Sequence, residues 1–171
     1  RGDAVIGVMY GAEPVDADIV IDDVTSASWV CAGTGLASGS KIPGLLGYEV
    51  DKIQSRSPLP ITRLGHSPFT TNKTNGQPNI SDFSDMTLYV AQSGARVFAT
   101  GSSQVAYGLD SWNASETGDR TSAAAQQMTR NILKRFAGPA ASGDCQYALT
   151  PSSSSVSSQS GSSSFTVTTS C

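Results

Sequence analysis

"MTLYVAQSGARVFATGS", residues 86–102, decides the architecture. Two β-rich runs, 87–91 and 96–100, flank a short loop containing Gly94, the pattern of a β-hairpin. The small-residue turn Gly101-Ser102-Ser103 follows, and then the apolar segment "QVAYGLDSW". A turn of this kind can hold a nucleophile, but a nucleophile elbow needs a second glycine where this chain has Val105. A Ser-His-acid set would have to draw on His66, the one histidine. The turn therefore reads as architecture, allowing close backbone approach, with Gln104, Tyr107 and Trp112 as candidates to edge a cleft. Beyond it, Ala125, Met128, Ile132 and Phe136 recur at steps of three and four, which predicts an amphipathic helix over 120–137. Lys134 and Arg135 suit its last turn, and Gly138-Pro139 ends it.

Upstream, "AVIGVMY" (4–10) reads as a mostly buried strand, and "SASWVCAGTGL" as a second strand entering a glycine-rich turn. Between them "GAEPVDADIVIDDV" carries five carboxylates without the Gly and closing Glu of a calcium loop, so it reads as a solvated loop. "GTGLASGSK" has the wrong spacing for a phosphate-binding loop. "IPGLLGYEVDKI" (42–53) is a strand whose period of two sends Leu46, Tyr48 and Val50 one way and Glu49 and Asp51 the other. Residues 55–83 form a long polar loop around a strand-like "ITRLGHSP", a setting that often borders pockets. His66 closes that strand. With no second histidine or cysteine pair nearby it is a poor metal ligand and reads as a hydrogen-bonded structural side chain or a functional one.

Composition narrows the classes. A net charge of -3 with no Lys/Arg cluster excludes the usual nucleic-acid footprint. No apolar run approaches the roughly 20 residues that span a bilayer, and no signal peptide is visible. Few charges amid abundant Ser, Thr and Gly suit a secreted or cell-surface protein. Sequons at Asn72, Asn79 and Asn113 and the "RGD" at residues 1–3 occur readily by chance. The start at Arg1 suggests a processed or excised chain. Cys31, in "SWVCAG", reads as a buried hydrophobe.

After Ala140 the composition shifts, which divides the chain into 1–140 and 141–171. Ten of the thirteen residues 152–164 are serine, bracketed by the alternating "CQYALTP" and "SFTVTTSC". A Cys145–Cys171 bridge across this tail would remove about 3 kcal/mol of loop entropy from the unfolded chain. Two strands cannot bury a core alone, so the tail reads as the opening of a β-sandwich. Neither segment is then expected to close a core unaided. The expected partners are a missing N-terminal part of the same polypeptide or identical chains, pairing by strands into filaments, or a glycan.

Together "GTGL", "IPGLLGYEVD", "SGARVFATGSSQVAYGLD" and "AAQQMTRNIL" resemble the C-terminal part of the large-subunit domain of N,N-dimethylformamidase, over residues 4–137. The resemblance implies a glutamine-amidotransferase-like layered fold: an α/β (or α+β) class with one clear amphipathic helix and a C-terminal hairpin. It further implies amide hydrolysis by the intact protein, with iron held by two tyrosines and a glutamate. The glutamate's segment, resembling Gly-His-Asp/Ser-Glu-Tyr-Trp, is missing from this sequence, so no cofactor is expected in this chain by itself and activity is not expected of it alone. Glu49, in "GYEVD", matches a pocket glutamate of acid/base type, with Tyr48 beside it; the alternative is a structural Glu bonding loop amides. His66 is the second catalytic candidate. Residues 145–171 are similar to the start of BACON-like, immunoglobulin-type modules of bacterial surface proteins.

Overall fold

The computed structural model describes residues 2–112, 118–138, 146–151 and 164–170. The chain divides into two units, Arg1–Phe136 and Ala137–Cys171. The class is α+β with antiparallel strands, the mixed composition expected, one amphipathic helix and a C-terminal hairpin included.

In the first unit β1 (Met9–Val20) pairs antiparallel with β2 (Lys41–Lys52). A second sheet has the order β3 (Thr62–Thr70), β4 (Ser81–Val90), β5 (Arg96–Ala99), again antiparallel. The 87–102 hairpin stands as read, with Val90 opposite Arg96 and Gly94 in its loop. Two bridges lace the sheets together: Ile21 with Gly65 at one side and Val50 with Ser102 at the other. The sheets thereby enclose one core containing Val15, Ile19, Leu45, Leu46, Val50, Leu64 and Met86, each at most 3 % exposed.

Three upstream readings are corrected. Residues 4–6 belong to a single helical turn, α1 (Asp3–Ile6), because Gly7 at φ 86 caps it and turns the chain before a strand begins. The carboxylate-rich segment is not a loop but most of β1: Ala12, Val15 and Ile19 face the core while Glu13 and Asp16 face out. The step of three from Ala12 to Val15 crosses a register irregularity, while the step of four from Val15 to Ile19 keeps one face through Ala17, which also packs on the core. "SWVC" is a turn of helix, α2 (Ser28–Cys31), rather than a strand. Asp23 sets up its approach by accepting from the Thr25 and Ser26 amides and hydroxyls, bonds that hold its carboxyl well below the usual range. Cys31 is buried as expected, and burial pushes its thiol up.

The long helix is α3 (Ala123–Ala137). Ala125, Met128 and Ile132 are buried; Phe136, the fourth of the expected stripe, is 38 % exposed. Burial of the Met and Ile side chains is worth roughly 1.5–3 kcal/mol each. Polar ties fix the helix laterally: Asn131 Nδ2 donates to the carbonyls of Val30 and Ala32 at 3.0 and 2.8 Å. At its approach Arg120 donates to Asp16 Oδ1 at 2.7 Å and to the Gly44 carbonyl at 2.6 Å, and its guanidinium holds the Asp16 carboxyl below its usual range.

In the second unit β6 (Gln146–Thr150) pairs antiparallel with β7 (Thr166–Ser170), the hairpin expected of the tail. Phe165 and Val167 are exposed. The Cys145–Cys171 bridge lies outside the described residues.

Candidate functional site: a carboxylate pair on β2

The turn that follows β5 builds the site. Gly101 has φ +70, and a Cβ there would lie 2.3 Å from the Asp85 carbonyl oxygen, so only glycine brings the chain this close to β4. Ser84 stands beneath it, its hydroxyl 2.7 Å from the Gly101 carbonyl and 2.9 Å from that of Asp51. The Asp51 N–H donates to Gly101 O at 3.0 Å. Ser102 is buried, and its Oγ accepts from the amides of Gly47 (2.9 Å) and Gln104 (3.2 Å) while facing the carbonyls of Leu45 and Gly47 at 2.7 and 2.8 Å. A hydroxyl with its hydrogen-bonding capacity filled in this way is a clamp on β2, which agrees with the architectural reading of the turn. Ser103 repeats the device at the rim: its Oγ accepts from the Glu49 amide at 3.3 Å and donates to Gly47 O at 3.0 Å.

These clamps fix Glu49 and Asp51, two residues apart on β2, along one side of an open cleft of about 460 Å3. Phe98, Gly101, Ser103 and Ile6 supply other walls. The two carboxylates differ in setting. Glu49 is exposed, whereas Asp51 is partly buried, and burial followed by the negative charge of Glu49 raises its pKa above 3.8. A carboxyl that resists ionisation beside a more exposed partner is the arrangement that separates an acid from a base.

The other candidate residues are dispersed. Tyr48 is 59 % exposed and not inward with Leu46 and Val50, which corrects the simple alternation read for β2. The cause is Gly47 (φ +145), where a Cβ would meet the Val15 carbonyl oxygen at 2.1 Å, together with the irregular register of β1 opposite. Gln104 is buried, its Nε2 donating to Leu46 O at 3.2 Å, while Tyr107 and Trp112 are exposed; none of the three lines the Glu49–Asp51 cleft. His66 sits in the middle of β3 opposite Asp85, a correction to its place at the strand's end. Its Nδ1 lies 2.8 Å from Asp85 Oδ1, its ring packs 4.3 Å from that of Phe83, and Asp85 Oδ2 accepts from the Ile53 amide at 3.0 Å. A nearly buried carboxylate with two such donors orients the imidazole. Sequence reasoning treated Asp51 only as Glu49's neighbour, although the i, i+2 spacing already puts both on one side of a strand. Asp85 and Ser103 gave no comparable signal, since their partners are 19 and 54 residues away.

A family model described as N,N-dimethylformamidase beta subunit-like, C-terminal, matches residues 2–120. The chain belongs to this family. No curated protein and no solved structure matches it. The dimethylformamidase-like match spans β1 to β5 and the turn after them, and so contains the whole Glu49–Asp51 cleft. Among the described residues no three His, Cys, Asp or Glu side chains converge on a point. Tyr10, Tyr48 and Glu13 line one open cleft together with Lys73, and burial followed by the charges of Glu13 and Glu49 raises the Tyr10 phenol.

Proposed function

We propose that this domain supplies the proton-transfer carboxylates of a site that hydrolyses small N-substituted amides. Amide hydrolysis needs a base to take a proton from the attacking water and an acid to deliver one to the departing nitrogen. Glu49, exposed in the cleft, is the base; Asp51, with its raised pKa, is the acid. The observation that carries this reading is the unequal burial of two carboxylates on one strand in a family matched to dimethylformamidase. The family's description as beta subunit-like supports partnership with other chains, from which any metal donors would come, so the chain alone is not the complete catalyst.

The test is chemical-shift mapping of the chain with N,N-dimethylformamide and with formate. Saturable shifts at Glu49, Asp51 and Ser103, abolished in Glu49→Gln/Asp51→Asn, support the assignment. Shifts confined to other surfaces contradict it, and amide turnover by the isolated chain contradicts the need for other donors.

The hairpin favours a second reading for the tail alone. Among the described residues β6 and β7 pair only with each other, and Phe165 and Val167 are exposed. Strand addition from an identical chain would cover them, as in a self-assembling surface protein. Sedimentation that stays monomeric across a hundredfold range of concentration counts against it.

A further inference from the structure

Two polar clefts beside β1 share no lining residue with the Glu49–Asp51 cleft, and Tyr10 lines both. One, of about 350 Å3, is walled by Tyr10, Tyr48, Glu13, Lys73 and Asn75. The other, of about 330 Å3, is walled by Tyr10, Asp3, Gln54 and Arg56. Each exceeds the roughly 300 Å3 at which ligand pockets begin. Tyr10 and Tyr48 are 50 % and 59 % exposed, so large aromatic surface is held open to water on a strand pair where polar residues would be at no disadvantage. The second cleft also has a buried carboxylate residue in its wall. Asp3 is 3 % exposed, and its Oδ1 has no hydrogen-bond donor; Arg56 Nε approaches only the other oxygen, at 3.6 Å.

The lining states the chemistry of the occupant. Each cleft sets one carboxylate against one cation, Glu13 with Lys73 and Asp3 with Arg56, so neither favours an anion or a cation overall. Side-chain amides and Thr74 add groups that donate and accept. Hydroxyls match such a mixed wall, since each can donate to a carboxylate and accept from an ammonium or guanidinium. Exposed phenol rings match the C–H faces of pyranose rings, whose hydrogens meet the electron-rich aromatic face. Tyr10, common to both clefts, would stack the unit that joins them. An extended peptide would need apolar side-chain pockets for specificity, and these clefts are walled mainly by polar groups. The geometry points to a binding groove for a neutral oligosaccharide, running across Tyr10 from Tyr48 and Lys73 to Asp3 and Arg56.

Isothermal titration calorimetry of the full chain with cellohexaose, xylohexaose, maltohexaose and N-acetylchitohexaose tests this. Saturable binding of at least one is expected, weakened tenfold or more by Tyr10→Ala and by Tyr48→Ala, while Glu49→Gln/Asp51→Asn leaves it within twofold. Amide shift mapping of the unaltered protein should place the bound sugar at Tyr10, Tyr48 and Lys73, a readout that does not depend on any variant folding. Absence of binding by all four sugars overturns the proposal, as does equal binding by both tyrosine variants. Tetramethylammonium binding at the tyrosine pair more tightly than every sugar would also overturn it, identifying a cation cage instead.

Discussion

Replacing Ser102 by Ala removes a hydroxyl that serves β2 and the turn after β5 at once. In the intact protein its Oγ accepts from the Gly47 and Gln104 amides at 2.9 and 3.2 Å and faces two carbonyls of β2. The residue is 8 % exposed, so water cannot readily stand in for the lost oxygen. Leaving the Gly47 N–H without its partner costs about 1–3 kcal/mol. Losing the cap on the Gln104 N–H, at the start of the 3-10 turn Ser103–Gly108, adds about 1 kcal/mol. A total of roughly 2–4 kcal/mol is expected, lowering the melting temperature by on the order of 10 °C. Ser103→Ala, at the rim, should cost less than about 1 kcal/mol because water can reach its partners. Urea unfolding of the three proteins followed by circular dichroism measures both. If Ser102→Ala lies within about 0.5 kcal/mol of the parent, or Ser103→Ala is the more damaging, the clamp argument is wrong.

Other outcomes follow from the same contacts. Asp85→Ala strips partners from His66 Nδ1 and the Ile53 amide and should destabilise by about 2–4 kcal/mol, with Asp85→Asn losing less; equal losses in urea unfolding would count against the hydrogen-bond account. The Lys52 ammonium beside Asp82 holds that carboxyl below 3.8, so the pair stabilises above the unfolded value and its contribution fades as pH falls through the folded one. Asp82→Asn should therefore narrow the stability difference from the parent as pH drops below 3.8, and a gap that widens on acidification refutes this. Asp51 has the opposite sign. Its raised pKa favours the folded state at low pH and loses that advantage as pH rises through the folded value, so Asp51→Asn should gain relative stability from acid to neutral pH.

The parts legible in the sequence were those with a strong local signature. The helix stripe through Met128 and Ile132 carries helical spacing, the tail strands alternate, and β-rich runs around Gly94 mark the hairpin, although β3 shifts register between Arg63 and Gly65 and β4 is buried on both faces from Ser84 to Tyr89. β1 was illegible because the step of three from Ala12 to Val15 breaks strand alternation at a register irregularity and five carboxylates are interleaved through that stretch. The α1 and α2 turns are too short to establish a period, and both consist of residues with good strand propensity. Glu49 was reachable through resemblance and Asp51 through its spacing. Their unequal burial was not, since it depends on Gly101 and Ser84, which arrive from other strands and have no local signature.

The carboxylate pair is tested most directly by carbon-detected NMR titration of the Asp51 side chain in the parent and in Glu49→Gln. The expected result is an Asp51 midpoint above 3.8 in the parent that falls when Glu49 loses its charge. An Asp51 midpoint at or below 3.8, or one indifferent to Glu49→Gln, would contradict the account.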